Sequence, residues 1–483
     1  MSSANPPTSV RRRVVDPPWK PVTNARRFID DLYTHKDGML LRSHAGTQRA
    51  WSGSAWPELS QDDLTADIYE YFEDTQYIGH DNTGRPVLKD FNVSISKARE
   101  IAAAIAAVSH LPDTRSMPFW IGEDAALSDR PAPSGLVPMA NGLLQVTNRL
   151  LHPPTPNFFC PYALPYPYDS GAPSPERFLQ FLDELFGDDQ ESKDLLQEFI
   201  GYLLVPDTSQ QKMLLLVGPP RSGKGTISRM TRDLLGHHNV AGPTLASLGT
   251  NFGLQPMIDK PVAIISDARL SGRTDNAVVV ERLLSITGED ALTVDRKYKT
   301  AWTGPLPCRL VIISNELPRL DDASGALASR FLVLQLTDSF LGKEEHDLSA
   351  TLAQELSGIL LWALDGLERL RERGHFLQPE KAGQVVRDLA ELSSPIRSFI
   401  NERCVSDPLS SVGVGELFDE WKNWSWENNV PTGTKQTFGR DLHAADPTIE
   451  TKQERVGDSR QRRYRGIELS RDDTRYTQLW SEQ

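Results

Sequence analysis

The feature that most constrains the fold is the segment GPPRSGKGT, from Gly218 to Thr226. It follows the apolar run KMLLLV and precedes TISRMTRDLLG, which has a helical pattern. Strand, glycine-rich loop and helix in that order form a phosphate-binding loop, because glycines let backbone N–H groups close around phosphate oxygens beside a helix N-terminus. Lys224 would place its charge on the β- and γ-phosphates of a nucleotide. The residues predicted to bind the nucleotide are Gly218, Pro219, Pro220, Arg221, Ser222, Gly223, Lys224, Gly225 and Thr226.

The loop departs from the usual pattern in one respect. Gly225 follows the lysine, and the hydroxyl comes one position later, at Thr226. Mg²⁺ would be held by Thr226 directly, through water, or mainly by the substrate phosphates.

Three further apolar runs, PVAIISD, CRLVIISN and RFLVLQL, follow the loop and alternate with helical stretches. Short, continuously apolar runs are typical of strands covered on both faces, so an α/β domain with a mainly parallel sheet is predicted. Asp267 ends the first run and would bind Mg²⁺ or orient water; Glu281 and Glu289 are alternative acids for the water. Asn315 ends the second run, where its amide would orient the attacking water or contact the γ-phosphate.

Arg330 starts the last run, from which it would reach a nucleotide on a neighbouring subunit as an arginine finger. A surface ion pair is the alternative interpretation of this arginine.

Composition limits the partners. The net charge is −13 over 483 residues, so any nucleic-acid site must be a local basic patch. The three cysteines are far apart and predict neither a metal site nor a disulfide framework. There is no apolar run of about 18 residues, so no membrane association is expected, and the N-terminus lacks the apolar region of a secretory signal.

Two basic patches are candidates for DNA contact. The first is DRKYK (295–299), where Arg296, Lys297 and Lys299 would contact phosphates and Tyr298 would stack on a base. The second lies within residues 451–465, which hold six basic and two acidic residues. Its candidate DNA-binding residues are Arg460, Arg462 and Arg463. A solvated hairpin tip and a solvated basic strand are the alternative interpretations.

The chain divides by pattern into five parts. They are a flexible arm (1–24), a mixed, mainly helical lead-in domain (25–205), the phosphate-loop core (206–345), a helical extension (346–392) and a winged-helix-like domain (393–483). The arm contains Arg11–Arg13, which would touch nucleic acid or remain solvated. Ser60 is a predicted helix N-cap, and Gly374 is a predicted helix end. Trp421 and Trp424 have helical spacing and predict core packing.

The core motifs, taken together, resemble a known family. GPPRSGKGT, IISD, GEDALTVDRKYK, LVIISNELP and SRF follow one another within about 115 residues, in the order found in superfamily three helicases. They are more closely similar to the phage, plasmid and poxvirus-type primase-helicase C-terminal group. The lead-in LLQEFIGYLLVPDTSQQ, the helix ELSGILLWALDGLERLRERGHF and the tail are also similar, so the resemblance covers roughly residues 35–475.

The resemblance implies an AAA+-like, ATP- and Mg²⁺-dependent DNA helicase that works as a ring, usually a hexamer, moving 3′ to 5′ on single-stranded and forked DNA. Lys224 and Thr226 match the Walker A element, and Asp267 matches Walker B, where the family often has glutamate. Asn315 matches the sensor asparagine and Arg330 the arginine finger. Residues 295–299 match the DNA-contacting hairpin, and the tail matches a winged-helix domain.

Several expectations follow for the biological context. The helicase would replicate a phage, prophage or plasmid in the cytoplasm of a bacterial host. No primase active site is predicted in this chain, so a separate primase or host replication proteins would be partners. One alternative is an AAA+ initiator, loader or protein remodeller that does not unwind DNA and does not need Lys297 or Lys299. A further alternative, suggested by the string GKGT, is a small-molecule phosphotransferase. It is disfavoured because Arg330 and the tail would have no role in such an enzyme.

Overall fold

The first part of the chain folds around an α/β core of its own. The computed structural model describes residues 13–122, 130–268, 276–318, 320, 322, 325–428, 430–456 and 459–470. The helices of this part are α1 (Pro21–Leu32), α2 (Gln61–Phe72) and α3 (Ile95–Val108). Its strands are β1 (Val14–Val15), β2 (Thr34–His35), β3 (Gly38–Met39), β4 (Leu41–His44), β5 (Thr47–Ala50), β6 (Gln76–His80) and β7 (Pro86–Asp90).

Pairing and packing in this N-terminal part are local. The strands β1, β6 and β7 form one sheet, while β2–β3 and β4–β5 are separate hairpins. The three helices pack on one another through buried side chains such as Phe28, Ile68 and Ile101. Ser60 caps α2 by accepting a hydrogen bond from the Asp63 N–H at 3.0 Å, as its sequence position predicted.

A strand-rich connection follows. It contains β8 (Phe119–Trp120), β9 (Leu136–Met139), β10 (Gly142–Gln145), β11 (Leu150–His152) and β12 (Phe158–Phe159). The strands β9, β10 and β11 form an antiparallel sheet, and β8 pairs with β12. Together with β2–β7 they give residues 25–205 the mixed helix and strand character that was predicted, although most of these two- to five-residue strands are too short for their periodicity to be recognised in the sequence.

The central domain is built on a parallel sheet, as the apolar runs predicted. Its elements are α4 (Glu176–Phe186), α5 (Gln190–Leu204), β13 (Met213–Val217), α6 (Lys224–Leu235), β14 (Val240–Ala241), α7 (Leu245–Leu248), β15 (Val262–Ile265), α8 (Asn276–Thr287), β16 (Ala291–Val294), β17 (Trp302–Pro305), β18 (Arg309–Ser314), α9 (Ala326–Arg330), β19 (Phe331–Gln335), α10 (Leu348–Gln354), α11 (Leu356–Arg373) and α12 (Gly383–Ser393). The strand order is β14-β15-β18-β13-β19, with all pairs parallel. All five strands therefore end at one edge, called here the carboxyl edge, and begin at the opposite amino edge.

Side chains of the sheet alternate between two cores. Leu214 and Leu216 of β13 face a core formed with α4, α5, α6 and α11, whereas Met213 and Leu215 face a core formed with α7, α8, α9 and α12. Full burial of both faces explains why the strands read as continuous apolar runs. It also places α5, α11 and α12 in the same two cores as the sheet, so these cores extend across the predicted boundaries at residues 205 and 345, whereas the one at 392 lies at the end of α12.

The last part of the chain has its own small core. It contains α13 (Pro395–Arg403), β20 (Cys404–Gly413), α14 (Val414–Glu427), α15 (Lys435–Ala445), β21 (Glu450–Val456) and β22 (Ser459–Leu469), with sheet order β20-β22-β21. Trp421 and Trp424 stack in this core with ring centroids 5.4 Å apart, which confirms the packing role predicted from their spacing.

Residues 13–24, which were predicted to belong to a flexible arm, are folded. Val14 and Val15 pair in parallel with β6, and α1 begins at Pro21, so residues 13–24 are part of the folded N-terminal core. Arg11 and Arg12 lie outside the described residues, while Arg13 contacts Asp31 at 3.5 Å. Within the described ranges, no helix has the length and apolar character needed to cross a membrane.

Candidate functional site

The predicted phosphate loop connects the carboxyl end of β13 to the first residue of α6. Its backbone depends on two glycines. A Cβ on Gly218 would lie 2.2 Å from the carbonyl oxygen of Leu336, and Gly223 has φ +88° in the left-handed region immediately before α6 begins. The loop therefore bends tightly enough to bring its carbonyl groups and the N-terminus of α6 together at the carboxyl edge.

Lys224 is folded back onto this loop. Its Nζ donates hydrogen bonds to the carbonyl oxygens of Gly218 and Pro219, both at 2.7 Å, and to the hydroxyl of Ser222 at 3.0 Å. The side chain is buried, and burial lowers the pKa of its ammonium group below the ordinary value. A nucleotide phosphate would replace these neutral oxygens with charged ones and so give the ammonium a better partner.

A cleft of about 810 Å³ opens in front of the loop. Residues of the loop form its floor, and Ser266 and Asn315 reach it from the neighbouring strands β15 and β18. Phe181 and Phe340 provide apolar walls. The volume is within the range of small-molecule sites, and the combination of apolar walls with a few convergent polar groups is typical of them.

The segment after β19 covers one side of the loop. The hydroxyl of Ser339 donates to the carbonyl of Pro220 at 2.9 Å, and the N–H of Phe340 donates to the carbonyl of Arg221 at 2.8 Å. The Arg221 side chain lies 3.7 Å from Glu344. The cleft thus has a wall that is attached to the loop itself.

Asp267 and Asn315 follow adjacent strands. Asp267 comes two residues after β15, and Asn315 directly follows β18, which lies between β15 and β13 in the sheet. Asn315 and Ser266, the neighbour of Asp267, line the cleft. The strand order therefore brings the predicted acid and amide to the same edge as Lys224. Residues 269–275, which follow Asp267, lie outside the described part of the chain.

Thr226 and Asp267 supply oxygen atoms of the kind that Mg²⁺ prefers. Thr226 lies in the first turn of α6 and lines the cleft, and its hydroxyl accepts a hydrogen bond from Arg229 at 3.1 Å. The alternative acids are placed elsewhere: Glu281 is exposed on α8, and Glu289 accepts a hydrogen bond from Thr208. Neither is among the residues that line the cleft.

Three basic residues of the cleft were missed by the sequence analysis. Arg229 lies one turn after Thr226 on α6 and also bonds the hydroxyl of Ser349 at 3.0 Å. Arg177 comes from α4 and Lys343 from the segment after β19. The i, i+3 spacing from Thr226 was a usable signal for Arg229, but nothing local in the sequence places the other two beside the loop.

Arg330 lies at the opposite edge of the sheet from Lys224. It ends α9 and immediately precedes β19, which runs parallel to β13, and its guanidinium donates to the side chain of Gln211, just before β13. The five residues of β19 span roughly 17 Å between the two edges. Arg330 is therefore not part of the cleft of its own chain.

The segment 295–299 is the tip of the hairpin formed by β16 and β17. Its residues divide into two groups. Tyr298 is fully exposed, and Lys297 is exposed with its Nζ 5.7 Å from the ring centre of Phe252. Arg296 and Lys299 contact the N-terminal part instead: Arg296 bonds the carbonyl of Ala45 at 3.0 Å, and Lys299 bonds a carboxylate oxygen of Glu58 at 2.5 Å.

The basic residues of the tail are also unequal. Arg460 and Arg462 are exposed and, by the alternation along β22, extend from the same face. Arg463 extends from the other face, donates to the hydroxyl of Ser411 at 2.9 Å and lies 3.5 Å from Glu454.

Comparison with known proteins gives matches to two family models. Residues 26–187 match a family described as D5 N terminal like, and residues 216–330 match a family of unknown function (DUF5906). The first match supports a relationship to the phage-type primase-helicases that the motifs resemble, a group associated with phage replication.

The other relatives are distant. An uncharacterized mitochondrial protein, ymf21, of Marchantia polymorpha is 28% identical over 110 residues, and the match covers 20% of this chain and 61% of that protein. The A form apo structure of the NrS-1 C-terminal region is 12% identical, with a TM-score of 0.48, covering 88% of this chain and 95% of that one. A second apo structure of the same region has 13% identity, a TM-score of 0.45 and coverages of 84% and 98%.

Proposed function

We propose that this protein is an ATP-driven, ring-shaped DNA helicase that moves 3′ to 5′ on single-stranded DNA during replication of a phage, prophage or plasmid. One arrangement carries the proposal. The carboxyl edge of three adjacent strands, β15, β18 and β13, is followed by Asp267, Asn315 and the loop that leads to Lys224. Arg330 lies at the amino edge, just before β19. A hydrolysis site divided in this way would be completed by a second copy of the chain.

The roles follow from the chemistry of each group. The Lys224 ammonium would bind the β- and γ-phosphates and stabilise the charge that develops during phosphoryl transfer. Asp267 and Asn315 would orient the attacking water. The Thr226 hydroxyl and the Asp267 carboxylate would hold Mg²⁺, an ion that supplies neutralising charge to phosphate oxygens.

Arg330 would act on the nucleotide of the neighbouring subunit. An arginine supplied in this way stabilises transition-state charge, and it makes hydrolysis depend on subunit contact. A closed ring, expected to be a hexamer, would give every site such a neighbour.

The exposed residues at the hairpin tip support DNA translocation. Lys297 would contact backbone phosphates and Tyr298 would stack on a base, since neither is buried by the chain. Arg460 and Arg462 on β22 would add a second contact, with phosphates of forked DNA.

A second function, an AAA+ initiator, loader or protein remodeller, is favoured by one observation. Arg296 and Lys299, two of the four predicted DNA contacts on the hairpin, are engaged with Ala45 and Glu58 of the N-terminal part. A hairpin used only to brace two parts of the chain would have such contacts.

Measurement of ATP hydrolysis with and without single-stranded DNA, together with unwinding of a 3′-tailed fork, separates the two functions. The helicase predicts DNA stimulation and unwinding, both lost in Lys224→Ala, and loss of unwinding in Lys297→Ala. Hydrolysis that DNA does not stimulate, with no unwinding, would instead support the second function.

Subunit sharing has its own test. Lys224→Ala and Arg330→Ala proteins are each expected to be inactive as pure preparations, while a mixture regains part of the ATPase activity. Recovery occurs because some interfaces pair an intact Lys224 with an intact Arg330. A mixture that stays as inactive as its components would contradict the role of Arg330 in trans.

A further inference from the structure

A second cavity lies at the amino edge of the central sheet, between the N-terminal part and the β16–β17 hairpin. Its volume is about 340 Å³. The cavity is called here the junction pocket. Its lining residues are 44–47, 49, 113 and 115–118 of the N-terminal part, 161, 162 and 206 of the connecting segments, 296 and 300–305 of the hairpin, and 258–261 and 307 before β15 and β18.

The junction pocket is separate from the nucleotide cleft. Residues 258–261 and Pro307 precede strands β15 and β18, whereas Ser266 and Asn315 follow the same strands and line the cleft. Four residues of β15 place roughly 13 Å between the two edges. A ligand in the junction pocket therefore has no contact with the phosphate loop.

The pocket has an excess of positive charge that its own acids do not neutralise. Asp259 pairs with the buried Arg49, and Asp113 accepts the backbone N–H of Ala45 at 2.7 Å. Arg115 has no carboxylate partner among the described residues, and its guanidinium lies 4.6 Å from the centre of the Phe119 ring. Lys260 and Arg296 also line the pocket.

An aromatic side chain and a histidine ring complete the lining of the site. Trp302 lines the pocket from β17. The buried His44 lines it from β4, with its Nε2 2.9 Å from the carbonyl of Arg115. This contact makes Nε2 a donor, while Nδ1 is fully buried and has no hydrogen-bond partner in the described part of the chain.

We propose that the junction pocket binds a nucleotide unit, with the phosphate at Arg115 and the base against Trp302. A guanidinium is suited to phosphate, and an indole ring to the face of a base. The volume lies within the range of small-ligand sites. The site does not depend on ATP hydrolysis by the cleft, and it adds a second nucleotide contact to the protein.

The hairpin gives the proposed site a route to DNA. Arg296 bonds Thr300 and the N-terminal part and lines the pocket, and it is followed at once by the exposed Lys297 and Tyr298. A nucleotide of a bound strand can therefore enter beside the hairpin tip. A free nucleotide has the same recognition chemistry, so the two sources must be distinguished by experiment.

Binding of dAMP to the full-length Lys224→Ala protein tests the site without interference from the phosphate loop. Titration calorimetry is expected to detect binding of dAMP. Deoxyadenosine, which lacks the phosphate, is expected to bind at least about ten-fold more weakly, because the charged hydrogen bond to Arg115 is lost. Arg115→Gln, added to the Lys224→Ala protein, is expected to lower the affinity for dAMP by the same factor. Arg115→Lys in its place is expected to keep part of that affinity. Arg99→Gln, an exposed change on α3, is the matched control and is expected to have no effect.

Hydrogen exchange provides a readout that does not depend on any pocket variant. Addition of dAMP is expected to protect residues 113–118 and 296–304 and to leave residues 218–226 unchanged. Absence of dAMP binding, equal binding by the Arg115→Gln protein, or absence of protection in these segments would overturn the proposal.

Competition identifies the source of the nucleotide. Displacement of dAMP by a short 5′-phosphorylated oligothymidine at lower concentration supports a DNA strand, and failure to displace it supports a free nucleotide. ATP hydrolysis by the Arg115→Gln protein with an intact Lys224 is expected to equal that of the unaltered protein. Absence of ATP hydrolysis in both the unaltered and the Arg115→Gln protein would contradict the proposed ATPase activity. It would not bear on the proposal for the junction pocket, which the binding of dAMP tests.

Discussion

Replacing the three glycines of the phosphate loop by alanine, one at a time, tests whether the loop has the geometry described above. At Gly218 the added Cβ would lie 2.2 Å from the backbone oxygen of Leu336, a residue whose N–H donates to the carbonyl of Val217 in β13 at 2.8 Å. At Gly223 it would lie 2.5 Å from the end of the flexible Leu185 side chain, at a φ of +88°. At Gly225 the nearest atom is 3.4 Å away, on Arg229.

The three substitutions should therefore differ in how much they lower the free energy of unfolding, with Gly218→Ala the largest and Gly225→Ala the smallest. Gly218→Ala forces two backbone segments apart and is expected to cost about 2–3 kcal/mol, the upper part of the range for overpacking. Gly223→Ala meets a side chain that can move, so its cost of about 1–2 kcal/mol comes mainly from the left-handed backbone. Gly225→Ala lies in the first turn of α6 and is expected to be neutral or to stabilise by up to about 1 kcal/mol.

Urea denaturation followed by tryptophan fluorescence measures the stabilities, and a fluorescent ATP analogue measures nucleotide affinity. We expect affinity to fall in the Gly218→Ala and Gly223→Ala proteins and to be kept in Gly225→Ala. Equal destabilisation by all three substitutions, or a Gly225→Ala protein less stable than the Gly223→Ala protein, would refute the reasoning.

Three further predictions concern charge. Burial lowers the pKa of Lys224 below its ordinary value of 10.5, and only the ammonium form attracts phosphate. The affinity for ATP should therefore fall as the pH rises through the lowered pKa. The Lys224→Arg protein, whose side chain stays charged, should not show this pH dependence. Glu198 is 2% exposed and pairs with two arginines of α11. Glu198→Gln should therefore lower the free energy of unfolding, measured by urea denaturation, by about 3–5 kcal/mol. The control Glu372→Gln, on the exposed face of α11, should change it by less than about 0.5 kcal/mol. In DNA binding, Arg462→Ala should reduce the slope of log affinity against log salt by about 1, and Arg463→Ala, whose guanidinium is held by β20, should leave the slope unchanged.

The central sheet was predictable because its signal is local. Each apolar run after the phosphate motif became a strand, and the polar residue that ends two of them, Asp267 and Asn315, follows that strand in the structure. Gly374 ends α11 at φ +82°, as its position after Arg373 predicted. In each case a short sequence pattern is linked to a single backbone requirement.

Other features depend on contacts that are distant in sequence. The strand β20 was not predicted, because Pro408 interrupts it and its pairing with β22 shifts register between Asp407 and Ser411. The packing of α5 on α11 relies on Gly201, where a Cβ would lie 2.2 Å from the carbonyl of Ala363. Neither neighbour can be identified from the local pattern, so β20 and the packing of α5 on α11 were not predicted.

The parallel sheet relates the proposed nucleotide cleft to the proposed junction pocket. The strands β15 and β18 carry cleft residues at their carboxyl ends and pocket residues before their amino ends. The hairpin that would contact DNA lies in the chain between α8 and β18, and Arg296 holds it to the N-terminal part at Ala45. The strands β15 and β18 are therefore the elements that connect the proposed hydrolysis site with the hairpin, and movement of the hairpin relative to the N-terminal part would require the Arg296 contact to break.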